Sequence, residues 1–334
     1  MPLKQNIEQY LKEALSKYHT LKSSIKAFRV IKHYKLIIIL FLLISLSIYG
    51  YSQNGIPNPA FNESRLRSVV IVESAVSTVA MTGLYYLWYK KFPHSRFHLF
   101  NDNSEWLNMD KAGHATTAYN ICNIQYNAMQ WCGLNNNRST WISGLTAMGV
   151  QTIIEIFDGF SQKWGFSKGD MLANIVGTSL FMVQQFAWNE QRVQLKFSFH
   201  STIFPQYNPS ELGKNVWQRW LKDYNGQTYW LSINPYSFMN SKTSFPRWLN
   251  FAMGYGAEGM TGATINPREV DNKVIPEFKR YRQYYFSFDA NMKNLFSANS
   301  SPLFLLSIAN IIKLPAPAIE FSQEKAWKFH SFYF

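Results

Sequence analysis

The sequence predicts an α+β protein. An N-terminal helical bundle of about four helices, itself a candidate for membrane embedding, precedes a mixed region of short helices and a few antiparallel strands. Long, largely apolar segments separated by turn residues occupy residues 65–190. Beyond residue 190 the texture changes to aromatic or aliphatic side chains alternating with polar ones, the period of a half-buried strand. Hydrophobic residues make up 47% and aromatics 17%, enough for a sizeable core or for much surface at a membrane interface.

Two segments precede the helical half. Residues 1–35 are a basic tail, with eight Lys or Arg against Glu8 and Glu13, and so carry six of the thirteen net positive charges. Such a tail suits anionic headgroups. Nucleic acid is not the expected partner, because the chain has no zinc-finger spacing, basic recognition helix or RNP-like strand. Residues 36–52 hold a 15-residue apolar run behind Lys32, His33 and Lys35. This is short for a spanning helix and close to a signal-peptide core. Gly50 and Ser52 are small enough for cleavage before Gln53, so the segment reads either as a signal peptide behind an over-long start or as an uncleaved anchor. Both place the following residues outside the cytoplasm. No cysteine stands directly after the run, so lipidation at a mature N-terminus is not expected.

Helices are expected over 68–89, 109–131, 140–157 (with Ser139 as N-cap) and 167–188, the last opening on a Ser167-x-x-Asp170 box. Cys122 and Cys132, ten residues apart on one helix, would stand about 15 Å apart, beyond the ~7 Å reach of a disulfide. In residues 191–334, strands are expected over 192–200, 227–233, 280–290 and 327–334. A helix beginning at Pro209 should run to about Tyr224, and another should run over 301–313, ended by Leu314-Pro315-Ala316-Pro317.

Three polar pairs at helical spacing interrupt the apolar helices: Asp110 with His114, Glu155 with Asp158, and Asp170 with Asn174. Each pair projects from one helix face. Isolated buried carboxylates are costly, so these groups should converge on one another, on Lys111 or on a cation. The Gly-rich loop 159–169 bends the chain back and eases that convergence. His114, Glu155, Asp158 and Asp170 form a candidate divalent-cation site of mixed N and O donors. Alternatively, His114 acts as acid or base, oriented by Asp110 and assisted by Glu155, with Lys111 binding a phosphate. Blander roles compete: Asp170 or Ser167 as helix cap, Asp158 as a loop acceptor, Asn174 in close helix packing beside Gly177. No nucleophile motif or phosphate-binding loop accompanies them.

The combination Asp110-Lys111-x-x-His114 with Tyr119, Glu155-x-x-Asp158-Gly159, and Ser167-x-x-Asp170-x-x-x-Asn174-x-x-Gly177 resembles the YfiM-like family of predicted periplasmic lipoproteins of unknown function. More distantly it is similar to VanZ-like membrane proteins associated with glycopeptide resistance. Residues 222–232 and 248–260 resemble blocks of longer envelope members from Bacteroidetes-type bacteria. The resemblance implies a bacterial envelope setting and a helical bundle, and leaves the reaction blank. The expected ligand is a membrane lipid or lipid-linked glycan, with envelope proteins as further partners; the rival expectation is a non-enzymatic accessory protein whose polar cluster is scaffolding. An outer-membrane β-barrel is disfavoured, because alternation would put His330 and Lys328 on the same face as Phe332 and Phe334, and fewer than eight strands are visible.

Overall fold

The computed structural model describes residues 61–90, 92–239, 244–296 and 303–334; the basic tail and the apolar run at 36–50 lie outside them. The fold is α+β, with the helices first and an antiparallel sheet after them.

Helix α1 (Glu63–Leu84) is capped by the Asn62 side chain, which accepts from the Arg65 amide, and it continues into a π-turn, Tyr85–Tyr89. It starts five residues before the expected 68 because Asn62 supplies the N-cap acceptor there. Only Leu66, Val69 and Met81 of this helix are buried. Strand β1 (Leu99–Phe100) pairs in parallel with β2 (Phe166–Ser167) and ties the segment before the second long helix to the loop before the fourth.

Helices α2 (Met109–Trp131), α3 (Asn136–Gly159) and α4 (Lys168–Trp188) pack on one another. The α2 limits are those expected. In α3 the cap is Asn135, not Ser139. The Asn-rich turn supplies an acceptor one turn earlier, and Ser139 is absorbed into the helix with its carbonyl accepting from the Ser143 hydroxyl. Ser167 caps α4 as expected, accepting from the Asp170 amide at 3.1 Å. A β-carbon on Gly177 would lie 2.0 Å from the Ala115 carbonyl oxygen, so glycine is what lets α4 approach the α2 backbone. Cys122 and Cys132 are free and buried.

The sheet comprises β3 (Val193–Phe199), β4 (Gln227–Ile233), β5 (Leu249–Glu258), β8 (Tyr281–Ala290), β9 (Ala316–Ser322) and β10 (Ala326–Tyr333). Their order is β10-β9-β8-β5-β4-β3, antiparallel throughout. A small hairpin, β6 (Glu269–Val270) with β7 (Lys273–Val274), projects from it. Two short helices, α5 (Pro209–Leu212) and α6 (Val216–Lys222), replace the single helix expected from Pro209. Gly213 breaks it at φ +99°, and Asn215 caps the second piece. Helix α7 (Met292–Leu295) follows β8, and α8 (Leu303–Ala309) ends before the expected 313. There the chain pairs with β3 instead, through Phe197 N to Ile311 O (2.8 Å) and Lys313 N to Phe197 O (2.9 Å).

The sheet is strongly curled. Strands β4 and β10 are four places apart in the order, about 19 Å in a flat sheet, yet the Thr228 and Tyr333 hydroxyls lie 2.9 Å apart. Trp230, Ala252, Tyr285, Ala318 and Tyr333 meet inside the curl.

Its two-residue alternation buries much of the polar side. On β8 the buried positions include Gln283, Ser287 and Asp289, while Tyr284, Phe286 and Phe288 are exposed. On β3 Gln194, Lys196 and Ser198 are buried. The concave face is held by polar contacts: Lys196 to Asp289 at 2.7 Å, His330 to Glu320 at 2.7 Å, and Gln283 to Glu320 at 3.0 Å. A register shift between His330 and Tyr333 corrects the face reading of the last strand. His330 turns inward to Glu320, whereas Phe332 is exposed and Tyr333 buried. A bulge adds one residue, which a strict alternation cannot anticipate.

Candidate functional site

The first turns of α2 and α4 lie side by side. Lys111 faces Asp170, His114 faces Asn174, and Ala115 meets Gly177, a parallel register set by the close approach at glycine. The expected pairs at i and i+4 thereby turn toward one another. Acidic groups in these first turns also face the positive ends of two helix dipoles.

The approach to α2 is strained. Trp106, Leu107 and Asn108 all have positive φ (47°, 52° and 69°). Asparagine tolerates this conformation, but for Trp106 and Leu107 it costs about 1–2 kcal/mol each. The C-terminal half holds the turn: Trp106 N donates to Ala263 O at 2.8 Å, the Tyr255 hydroxyl donates to Leu107 O, and the Trp106 ring lies 5.3 Å from that of Tyr224. Asp110 follows immediately and accepts from the Tyr224 hydroxyl at 2.7 Å. Burial and the Asp110 carboxylate push the Tyr224 phenol well above its usual range, so it stays a donor.

At the centre, Lys111 Nζ lies 2.7 Å from Asp102 Oδ1, 2.7 Å from Asp170 Oδ1 and 3.5 Å from Asp110 Oδ2. The carboxylates thus converge on Lys111, one of the alternatives the sequence offered. Asp102 comes from the loop before α2 and accepts from the Ser167 hydroxyl at 2.6 Å. Burial raises the pKa of its carboxyl, but hydrogen bonds with Asp170, Lys111 and Ser167 outweigh that and hold it below the ordinary aspartate value. Nothing in its local sequence marked Asp102: it lies in a polar loop, and only the β1–β2 pairing brings it to Ser167.

His114 is the most informative member. Its Nδ1 lies 3.2 Å from Asn174 Oδ1, which also accepts from Gln151 Nε2 at 2.6 Å. An amide oxygen that accepts from both sides assigns the imidazole proton to Nδ1. The Nε2 lone pair then points to Asp110 Oδ1 (3.9 Å) and Asp170 Oδ1 (4.0 Å). One ligating atom each from Asp110, His114 and Asp170 lies within 4.8 Å of the others. Behind them Glu155 is almost fully buried, with Oε2 accepting from Ser167 N at 3.1 Å. Its Oε1 has no hydrogen-bond partner and lies 3.7 Å from His114 Nδ1.

Of the expected residues, Asp110, Lys111, His114, Glu155, Ser167, Asp170 and Asn174 come together. Asp158 does not join them: one turn beyond Glu155 it accepts from the Tyr89 hydroxyl at 2.8 Å and locks the end of α1 to α3. Ser167 serves as a cap and as a donor to Asp102. Asp102, Gln151 and Tyr224 are members that the sequence alone did not single out.

Residues 98–185 match the family model described as Predicted periplasmic lipoprotein (DUF2279). No curated protein and no solved structure matches the chain. The matched stretch holds the whole cluster except Tyr224. Both cysteines of the chain are buried within the helical half and stand far downstream in sequence of the apolar run that would precede a lipidated residue. Over that stretch the chain is similar to predicted periplasmic lipoproteins of unknown function, which agrees with an exported, periplasm-facing protein of the bacterial envelope.

Proposed function

We propose that Asp110, His114 and Asp170 bind a divalent cation and, through it, the phosphorylated headgroup of a membrane lipid or lipid-linked glycan. The observation that carries this reading is the His114 lone pair aimed between two carboxylates, with its proton fixed on the far nitrogen by Asn174. A metal-binding histidine is ordinarily oriented by such a hydrogen bond on its other nitrogen. Charge favours it too: Asp102, Asp110 and Asp170 surround a single Lys111 while buried Glu155 faces His114, and a divalent ion would stabilise the ionised carboxylates that burial disfavours at Glu155 and Asp170. The mixed imidazole and carboxylate set suits Zn²⁺ or Mn²⁺ better than Ca²⁺. Asp110 and His114 remain partly exposed, so a headgroup can reach them. The finer kinship with YfiM-like and VanZ-like proteins belongs to the same reading, since both resemblances imply an envelope setting.

A second reading has its own support. Lys111 already bridges Asp102 and Asp170 at 2.7 Å, so the cluster can serve as an internal clamp between loop and helices. Calorimetric titration of the full chain with Mn²⁺, followed by inorganic phosphate, separates the two. Uptake of one ion per chain, weakened at least tenfold in His114→Ala and Asp170→Asn at near-constant thermal midpoint, and phosphate binding that requires the ion, support the cation site. No uptake by the parent, with parallel loss of stability in the variants, leaves only the clamp.

A further inference from the structure

The convex side of the curled sheet and the outer faces of the helices expose what a water-facing surface normally buries. Met253, Phe286, Phe288, Ile319, Trp327 and Phe329 are all between 44% and 72% exposed on neighbouring strands, while the concave side carries the buried Lys196–Asp289 ion pair and the His330–Glu320 contact. In water this inversion places the apolar face on the wrong side of the sheet; in lipid it is the ordinary arrangement, with apolar residues outward and polar ones within. Strands β5 and β8 are each 10 residues long, within the 9–11 that cross a bilayer when tilted.

The helices repeat the pattern. The stretch Glu63–Tyr89 is long and apolar enough to cross a membrane, yet only 11% of its most apolar window is buried. It exposes Ile71, Val72, Val76 and Val79, and α4 exposes Leu172, Val176 and Val183.

Aromatic rings paired with basic side chains bound these faces at both ends. At one end Lys90 lies over Tyr86 (4.6 Å), Lys222 over Trp88 (4.8 Å) and Lys163 over Trp164 (5.2 Å). At the other, Arg65 lies over Trp131 (5.1 Å) and Arg192 over Trp188 (4.6 Å). The 21 residues of α4 run from the Trp164 end to Trp188, about 31 Å at the helical rise. That matches the ~30 Å hydrocarbon core, whose two boundaries collect aromatic and basic side chains.

We propose that α1, the outer faces of α3 and α4, and the convex face of the sheet form one continuous lipid-contacting belt, so that the helices and the curled sheet together are embedded in a bilayer. The belt is separate from the apolar run at 36–50, and its test must not read anchoring by that run. Single cysteines are introduced on the full chain, with Cys122 and Cys132 replaced by alanine, at Val76→Cys, Phe286→Cys, Ile319→Cys and Phe329→Cys, and at Lys273→Cys in the exposed β6–β7 hairpin. Each is spin-labelled in vesicles of phosphatidylethanolamine and phosphatidylglycerol, and collision with oxygen is compared with collision with a water-soluble nickel chelate. Oxygen should dominate several-fold at the four belt positions, and nickel at Lys273→Cys. Nickel collision at the belt equal to that at Lys273→Cys would overturn the proposal, as would shielding from both reagents, which would mean that a second copy covers the face. The belt positions are exposed on different elements, so misfolding of one variant leaves the others to decide.

Discussion

Lys111 and Asp102 bear most of the electrostatic load at the centre of the site, and their roles differ from what each residue's neighbours in sequence suggest. Lys111 compensates two carboxylates at once, so Lys111→Met leaves Asp102 and Asp170 facing each other with little solvent. Removing one partner of such a group costs about 3–5 kcal/mol, which chemical denaturation of the variant against the parent measures. Asp102 makes a pH-dependent contribution. Its folded pKa lies below the unfolded value of about 3.9, so the folded state binds the proton less readily than the unfolded one. Its stabilisation is thus fully present above about pH 4 and is lost as pH falls through the lowered folded value. The thermal midpoint of the parent should drop over that acid range, and Asp102→Asn should be less stable at pH 7 with a flatter acid limb. A variant that keeps the full acid dependence would assign it to another carboxylate.

The elements that build the site are joined by backbone proximity more than by side-chain chemistry. Gly177 is the hinge of this arrangement: a methyl group there meets the Ala115 carbonyl at 2.0 Å. Gly177→Ala should push α4 from α2, cost about 1–3 kcal/mol as overpacking, and separate His114 from Asp170. The expected readout is Mn²⁺ affinity reduced more than in a neutral surface variant of equal stability; unchanged affinity would show that the register does not depend on this contact. Helix limits were legible where capping chemistry is unambiguous, as for Ser167. They were missed where several asparagines compete to cap α3, or where Gly213 broke the helix from Pro209. Strand β5 went unread because Gly254 and Gly256 sit where strands usually carry branched side chains; glycine is needed at 254 because the Trp230 ring lies 2.8 Å from any β-carbon. Strand β9 was hidden by Pro315 and Pro317, residues that ordinarily argue against a strand flanked on both sides.

On the scale of the molecule, the cluster and the belt are placed together. The first turn of α4 follows the segment that carries Trp164 and the first turn of α2 lies beside it, so the polar site stands at the same end as one aromatic and basic boundary. A headgroup-binding site at that depth and a lipid-facing wall around it are mutually consistent, though each has its own test. A charge on the wall discriminates further: Phe286→Lys should cost about 2–4 kcal/mol if the position faces acyl chains at mid-depth, and within about 0.5 kcal/mol if it faces water. Unfolding of the vesicle-reconstituted protein by urea measures the difference. On the concave side the expectation is the same in either solvent: Asp289→Asn strips Lys196 of a buried partner at 2.7 Å and should be strongly destabilising.

The amino-acid sequence by itself determined the α+β order, several helix and strand limits, the free cysteines, the envelope setting and the convergence of Asp110, His114, Glu155 and Asp170; it proposed Asp158 among the cation ligands where the structure puts Asp110. These follow from periodicity, capping and the cost of lone carboxylates, all of which act over one or two helical turns. Only the tertiary structure decided that Asp102 and Tyr224 join the cluster, that Asp158 leaves it for Tyr89, and that the strands turn their polar side inward. Alternation along a strand is symmetric under exchange of its two faces, so it says that the faces differ and not which one is enclosed. The curl of the sheet, a property of six strands together, makes that choice.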